Sequence, residues 1–106
     1  MIERLSSYIK KELAFFLEKN LPIAEGGFVS VTKVFINERA DRADVFVSVF
    51  PETLVSEVFM ELKLLQKDAR KFLASRIKRH KIPDIKFILD KNLDAESRIE
   101  KLLENK

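Results

Sequence analysis

A chain of 106 residues is the size of one domain, and it contains no cysteine, so disulfides and thiolate metal sites are excluded. No apolar run approaches the roughly 20 residues that a membrane span needs, and the N-terminus lacks the apolar core of a signal peptide, so we expect a cytoplasmic protein. The formal net charge of +3 is too small to indicate nucleic acid by itself. The distribution of the charge along the chain is more informative.

The first half of the chain predicts one helix followed by a strand hairpin. Apolar residues recur at three- and four-residue spacing across Ile2–Lys19, which is typical of a helix with one buried face. Gly26–Gly27 predicts a turn that uses a positive φ. Phe28–Asn37 and Ala43–Phe50 are rich in β-branched residues and predict two strands. Their short polar connection predicts an antiparallel hairpin.

A second helical pattern follows the hairpin and carries a polar interruption. Its apolar stripe runs from Leu54 to Ile77, but one straight helix of about 27 residues is long for so small a core. The polar run Gln66–Asp68 therefore predicts a break within Gln66–Ala69. Asp68 is the expected N-cap of the second half, where its carboxylate would meet the positive end of the helix.

The last predicted elements are a buried strand and a short tail helix. Pro83 ends the second helical region, and apolar residues alternate over Ile85–Asp90 as in a core strand. Asp94 is a candidate N-cap for a helix over Ala95–Leu103, which has few large apolar residues and is expected to dock weakly. We therefore expect a domain over residues 1–92 and a tail helix within residues 93–106.

The order of these elements predicts the fold class. Helix, strand, strand, helix, helix and strand, with a three-stranded sheet covered by helices on one face, make an α+β two-layer sandwich. The alternation in the strands predicts which side chains face the helices. The expected core residues are Val45, Val47, Val49, Phe87 and Leu89.

Catalytic chemistry finds little support in the sequence. His80, the one histidine, lies in a cationic run and is expected to be a solvated surface residue. The carboxylates are scattered, mostly as solvated helix faces or caps, and no glycine-rich phosphate loop occurs. We expect no catalytic residue, no metal site and no cofactor.

Cations concentrate between Lys67 and Lys81, where seven Lys or Arg residues accompany one acid. A solvated helix end whose cations complement the helix dipole would explain part of this charge. Seven cations exceed what a dipole would recruit, so binding to nucleic acid or phosphate is the favoured interpretation. Some of these cations are expected to face the core side or the solvent instead of a ligand, above all Arg76, which borders the apolar stripe. The predicted RNA-binding residues are Arg70, Lys71, Arg76, Lys78, Arg79 and Lys81, helped by Lys10, Lys11, Arg39 and Arg42.

With its elements placed, the sequence resembles the ribosome-binding factor A family over nearly its whole length. The segment Gly27–Val34, Gly-Phe-Val-Ser-Val-Thr-Lys-Val, is the most specific match and is similar to the family's first strand. Arg4–Leu13 resembles the opening helix, and Ala40–Val49 resembles the second strand. Ile82–Leu93 is similar to the Pro-led third strand with its following Asp, and Arg98–Leu103 matches the closing helix.

The resemblance implies a type II KH-like fold in the order α-β-β-α-α-β, with the third strand beside the first and parallel to it. It also implies a non-enzymatic factor that binds the immature small (30S) ribosomal subunit near the decoding region. Such a factor supports late maturation and processing of 16S rRNA and needs no cofactor. We expect a monomer without a membrane contact.

The interhelical region departs from the KH pattern. KH domains that grip single strands carry Gly-x-x-Gly between two helices, and this family has an Ala-x-Gly kink there. The corresponding segment Leu65–Ala69 has no glycine, so we expect contacts to the backbone and shape of rRNA rather than sequence-specific reading of a single strand. The alternative is a protein-interaction module on a KH-like scaffold whose basic face meets an acidic partner protein.

Overall fold

The computed structural model describes residues 2–78 and 81–90, with two helices and three strands along the chain. Arg79, His80 and the predicted tail helix lie outside the described residues. The observed bounds lie within one residue of the predicted ones for the first helix and for each strand. The elements are α1 (Ile2–Asn20), β1 (Phe28–Ile36), β2 (Arg42–Phe50), a single 3-10 turn (Glu52–Leu54), α2 (Val55–Arg76) and β3 (Asp84–Leu89).

The three strands form a mixed sheet in the order β1-β2-β3. The hairpin is antiparallel as predicted, with Val29 opposite Val49 and Val31 opposite Val47. The expectation that β3 lies beside β1 was wrong, because β3 pairs in parallel with β2, with Val45 opposite Phe87. The cause is the connection: α2 carries the chain from the end of β2 back to the start of β3, and such a helical crossover joins neighbouring parallel strands.

The second helix is continuous, so the predicted break within Gln66–Ala69 was also wrong. The polar run does not interrupt the buried stripe, because Leu62, Ala69 and Leu73 all have no exposed surface and keep the helical spacing. Neither proline nor glycine is present to break the backbone hydrogen bonds. Asp68 is an exposed side chain within the helix rather than a cap.

Both helices pack on one face of the sheet and close a single hydrophobic core, as the α+β prediction requires. Val45 and Val47 are fully buried, and Val49 and Phe87 are no more than 5% exposed, so these four core predictions are confirmed. Leu89 is only half-buried, because β3 ends at this residue. The central strand β2 therefore contributes more buried hydrophobic residues to the core than either of its neighbours.

The only two glycines serve the turn into β1 in different ways. Gly26 has a φ of +86°, which confirms the predicted left-handed turn. Gly27 is limited by space instead, because a Cβ on it would stand 2.5 Å from Cδ1 of Leu54. The start of β1 is therefore packed closely against the start of the second helical segment.

Candidate nucleic-acid interface

Three lysines form a row along α2. Lys63, Lys67 and Lys71 follow one another at four-residue spacing, and all three side chains are exposed. Because residues four apart share a helix face, the row runs about 12 Å along the helix. The sequence prediction included Lys71 but omitted Lys63 and Lys67. Their four-residue spacing was the signal that would have found them.

Acidic residues occupy the other flank of the exposed side of α2. Glu57, Glu61 and Asp68 are all exposed. Neighbouring positions on a helix are about 100° apart, so Asp68 points away from Lys67, but Lys71 comes three positions after Asp68 and lies next to it on the helix surface. The exposed side of α2 thus has an acidic flank and a basic flank, which meet at Asp68 and Lys71.

Four of the predicted RNA-binding cations already have a carboxylate partner. Arg42 lies 2.9 Å from Asp44, and Arg70 lies 3.2 Å from Asp84. The other two ion pairs join segments that are far apart in sequence. Arg76 lies 2.8 Å from Glu12, and Lys81 lies 4.0 Å from Asp41. These cations have part of their charge compensated before any ligand arrives.

Arg76 is the clearest case of a structural cation. Its guanidinium donates from Nε to Glu12 on α1, and this bond raises the pKa of Arg76. The Tyr8 hydroxyl donates to the Arg76 carbonyl at 3.3 Å, and the guanidinium lies 5.5 Å from the ring centroid of Phe72. Arg76 therefore joins the two helices.

The hairpin tip meets the start of β3, and Lys81 and Arg39 lie near Asp41 there. The Asp84 backbone N–H donates to the Asp41 carbonyl at 2.9 Å. The side-chain amide of Asn37 donates to the Asp41 carboxylate, and this bond lowers the pKa of Asp41. Partial burial opposes the shift by raising the pKa, whereas the nearby charges of Lys81 and Arg39 lower it further. Positive and negative groups alternate here, so this end of the molecule is less positive than its cations alone suggest.

The predicted helpers on α1 do not extend the lysine row. Glu12 faces α2, and Lys10 is two positions earlier, which places it about 200° around the helix on the far flank. Lys11 is exposed on the solvent side of α1. Lys78, just beyond the end of α2, is also exposed and has no ion pair among the described residues. The structure thus separates the nine predicted cations that it describes into distinct groups.

Other kinds of site find no support in the described part of the chain. Within residues 2–78 and 81–90, no cluster of three or more His, Asp or Glu side chains is arranged to hold a metal ion. The helices of this same part are too short or too polar to cross a membrane.

Comparison with known proteins gives a consistent relationship. The family described as ribosome-binding factor A matches residues 1–103. Ribosome-binding factor A of Brevibacillus brevis is 35% identical over 103 residues, which cover 96% of this chain and 85% of that protein. The chain belongs to the ribosome-binding factor A family. Members of this family are non-enzymatic ribosome assembly factors.

Solved structures of the ribosome-binding factor A family share the fold. The crystal structure of ribosome-binding factor A from Thermus thermophilus has a TM-score of 0.69 at 18% identity, covering 82% of this chain and 92% of that one. A homology model of the Thermus thermophilus protein, fitted into a cryo-EM map of its complex with the 30S subunit, has a TM-score of 0.66 at 20% identity and the same coverage. The two-helix, three-stranded arrangement is therefore that of the family.

Proposed function

We propose that this chain is an assembly factor that binds the immature small (30S) ribosomal subunit and supports late maturation and processing of 16S rRNA. The observation that carries the proposal is the family match over residues 1–103. The Thermus thermophilus relative has been fitted into a map of a 30S complex, which supports the same target here.

The lysine row of α2, defined as Lys63, Lys67 and Lys71, is the proposed centre of the rRNA contact, with Lys78 just beyond the end of the same helix. A continuous helix holds these cations at fixed spacing, so less conformational entropy is lost when they meet a phosphate backbone. Each phosphate that is neutralised releases counterions, which makes the binding favourable and dependent on salt. Such contacts position the protein on a folded RNA without reading its bases.

The decisive experiment is sedimentation of lysate on sucrose gradients. Cells lacking the protein are complemented with the wild type, with Lys67→Glu/Lys71→Glu, or with the control Arg4→Glu/Lys19→Glu, which changes the net charge equally on α1 at two exposed cations outside the predicted binding set. We expect the wild type and the control to sediment with small subunits. The α2 variant should lose this association by at least about tenfold in moderate salt, and precursor 16S rRNA should accumulate with it and in cells lacking the protein.

Two outcomes would contradict the proposal. If the α2 variant sediments with small subunits as the wild type does, the lysine row is not the contact surface. If no form of the protein sediments with small subunits and one acidic protein is captured from nuclease-treated lysate, the protein is an interaction module for that partner.

A further inference from the structure

The sheet face opposite the helices carries phenylalanine side chains that the core does not use. On β2 the valines face the helices, so Phe46 and Phe50 face outward. Phe28 and Phe35 of β1 occupy the same outer face. Phe28 and Phe50 are each 55% exposed, and Phe35 is 64% exposed.

These rings form two separate stacking positions. Phe28 lies opposite Phe50 in the hairpin, and their ring centroids are 5.5 Å apart with an interplanar angle of 26°. Four residues further back along β2, or about 13 Å, Phe46 lies under the ammonium of Lys33, which is 4.6 Å from its ring centroid. A polar contact between the hydroxyls of Ser30 and Ser48, 2.8 Å apart, lies between the two positions.

Among the described residues, the acids of this face are already engaged. Arg42 pairs with Asp44, Asp84 pairs with Arg70 of α2, and Asp90 is buried and accepts a hydrogen bond from Thr32. Lys33 and Lys86 are exposed on the same face, and Lys86 lies opposite Asp44 in the strand register, but neither lysine has a carboxylate within ion-pair distance in the described part of the chain. The outer face therefore combines open aromatic rings with two exposed lysines that form no ion pair within that part of the chain.

We propose that this outer face binds unpaired RNA nucleotides, whose bases stack on the Phe28–Phe50 pair and beside Phe46 while Lys33 and Lys86 meet the phosphates. Aromatic rings with nearby cations are the usual means by which a sheet holds single-stranded RNA. Lysine and serine are depleted at protein–protein interfaces, so the two lysines and the serine contact favour a nucleotide chain over a protein patch. The inference rests on the proposed function only in taking RNA as the class of ligand. The lysine row lies in the helical layer, so the outer sheet face is a separate surface.

The test uses the full chain and two labelled RNAs: an eight-nucleotide single strand carrying 2-aminopurine, and a duplex without unpaired bases. Leucine retains apolar bulk but cannot stack, so Phe28→Leu/Phe50→Leu should weaken single-strand binding about tenfold and reduce the quenching of 2-aminopurine, with the position at Phe46 left in place. The same variant should bind the duplex as the wild type does. Thermal unfolding of the variant checks that the fold is retained, and Phe46→Leu provides a second, independent change on the same face.

The outcomes separate this inference from the proposed function. Unchanged affinity and quenching in both leucine variants would overturn the inference, as would a wild type that joins small subunits but does not bind the single strand. If the leucine variants bind the single strand normally but leave the small subunit, the face docks a protein and the inference is wrong. Failure of every form to join small subunits would count against the proposed function instead.

Discussion

The guanidinium of Arg76 on α2 lies 2.8 Å from the carboxylate of Glu12 on α1, and the Glu12 side chain is only 9% exposed. We expect Arg76→Ala to lower the thermal unfolding midpoint by several degrees, because the shielded Glu12 carboxylate loses its partner. Association with small subunits should change little once the protein is folded. Calorimetry and sedimentation of the same sample would measure the two effects.

A second variant distinguishes this structural role from a binding role. The double change Glu12→Leu/Arg76→Leu removes both charges and should recover much of the lost stability, because no carboxylate is then left unpaired. If Arg76→Ala instead unfolds like the wild type and loses the small subunit, Arg76 belongs to the binding surface.

Gln66 accepts a hydrogen bond from the edge strand β3, whereas Asp68, two residues later, is an exposed side chain within α2. The backbone N–H of Phe87, a residue only 2% exposed, donates to Oε1 of Gln66 at 3.0 Å. Gln66→Ala should therefore cost about 1–2 kcal/mol in the free energy of unfolding. Asp68→Ala should stay within about 0.5 kcal/mol, because Asp68 is exposed inside a continuous helix. Urea titration would measure both, and a loss of about 1 kcal/mol in Asp68→Ala would restore the capping role.

The sequence predicted elements well and their long-range relationships poorly. Alternating valines identified β2 because half-buried strands repeat every two residues. The helix break was predicted from the polarity of Gln66–Asp68, yet the spacing of Leu62, Ala69 and Leu73 had already kept the buried face in phase. The helical connection between β2 and β3 was visible in the sequence, but the position of β3 was taken from the family resemblance, which placed it beside β1 instead of β2.

The candidate site illustrates the same limit in electrostatic terms. A run of cations was visible in the sequence, but the carboxylates that compensate them were not. Glu12 pairs with Arg76 and Asp41 with Lys81 across long stretches of chain, so these pairs exist only after folding. The four-residue spacing of the lysine row was local and was available from the sequence alone.

The hairpin tip should make stability dependent on acid pH through Asp41. The pKa of Asp41 is lowered chiefly by the hydrogen bond from Asn37, so folding favours the ionised carboxylate. Its contribution is complete above the unfolded pKa of about 4 and is lost as the pH falls through the lower folded value. Urea unfolding between about pH 5 and pH 2 should show less loss in Asp41→Asn than in the wild type. Parallel curves for the two proteins would contradict this assignment.

Ala40 occupies a backbone conformation that disfavours a side chain. Its φ is +57°, and its N–H donates to the Asn37 carbonyl at 2.9 Å in the hairpin turn. Ala40→Gly removes the left-handed strain, which costs about 1–2 kcal/mol, against a smaller entropic penalty. We expect a net stabilisation of about 0.5–1 kcal/mol, measured by thermal or urea unfolding. Ala40→Val should destabilise the protein, and the reverse order of the two variants would be inconsistent with this turn.

Lys71 and Arg42 offer a matched test of paired against unpaired cations. Lys71 has no carboxylate within ion-pair distance among the residues that the structure describes, whereas Arg42 donates two hydrogen bonds to Asp44, at 2.9 and 3.2 Å. A phosphate that meets Lys71 releases counterions, but one that meets Arg42 competes with an existing carboxylate.

Small-subunit affinity is measured at several salt concentrations between about 50 and 200 mM. Lys71→Ala should reduce the slope of log affinity against log salt by about 1, and Arg42→Ala by less than half as much. Equal slopes for Lys71→Ala and the wild type would remove Lys71 from the contact, and a larger change in Arg42→Ala would move the rRNA surface to the hairpin tip.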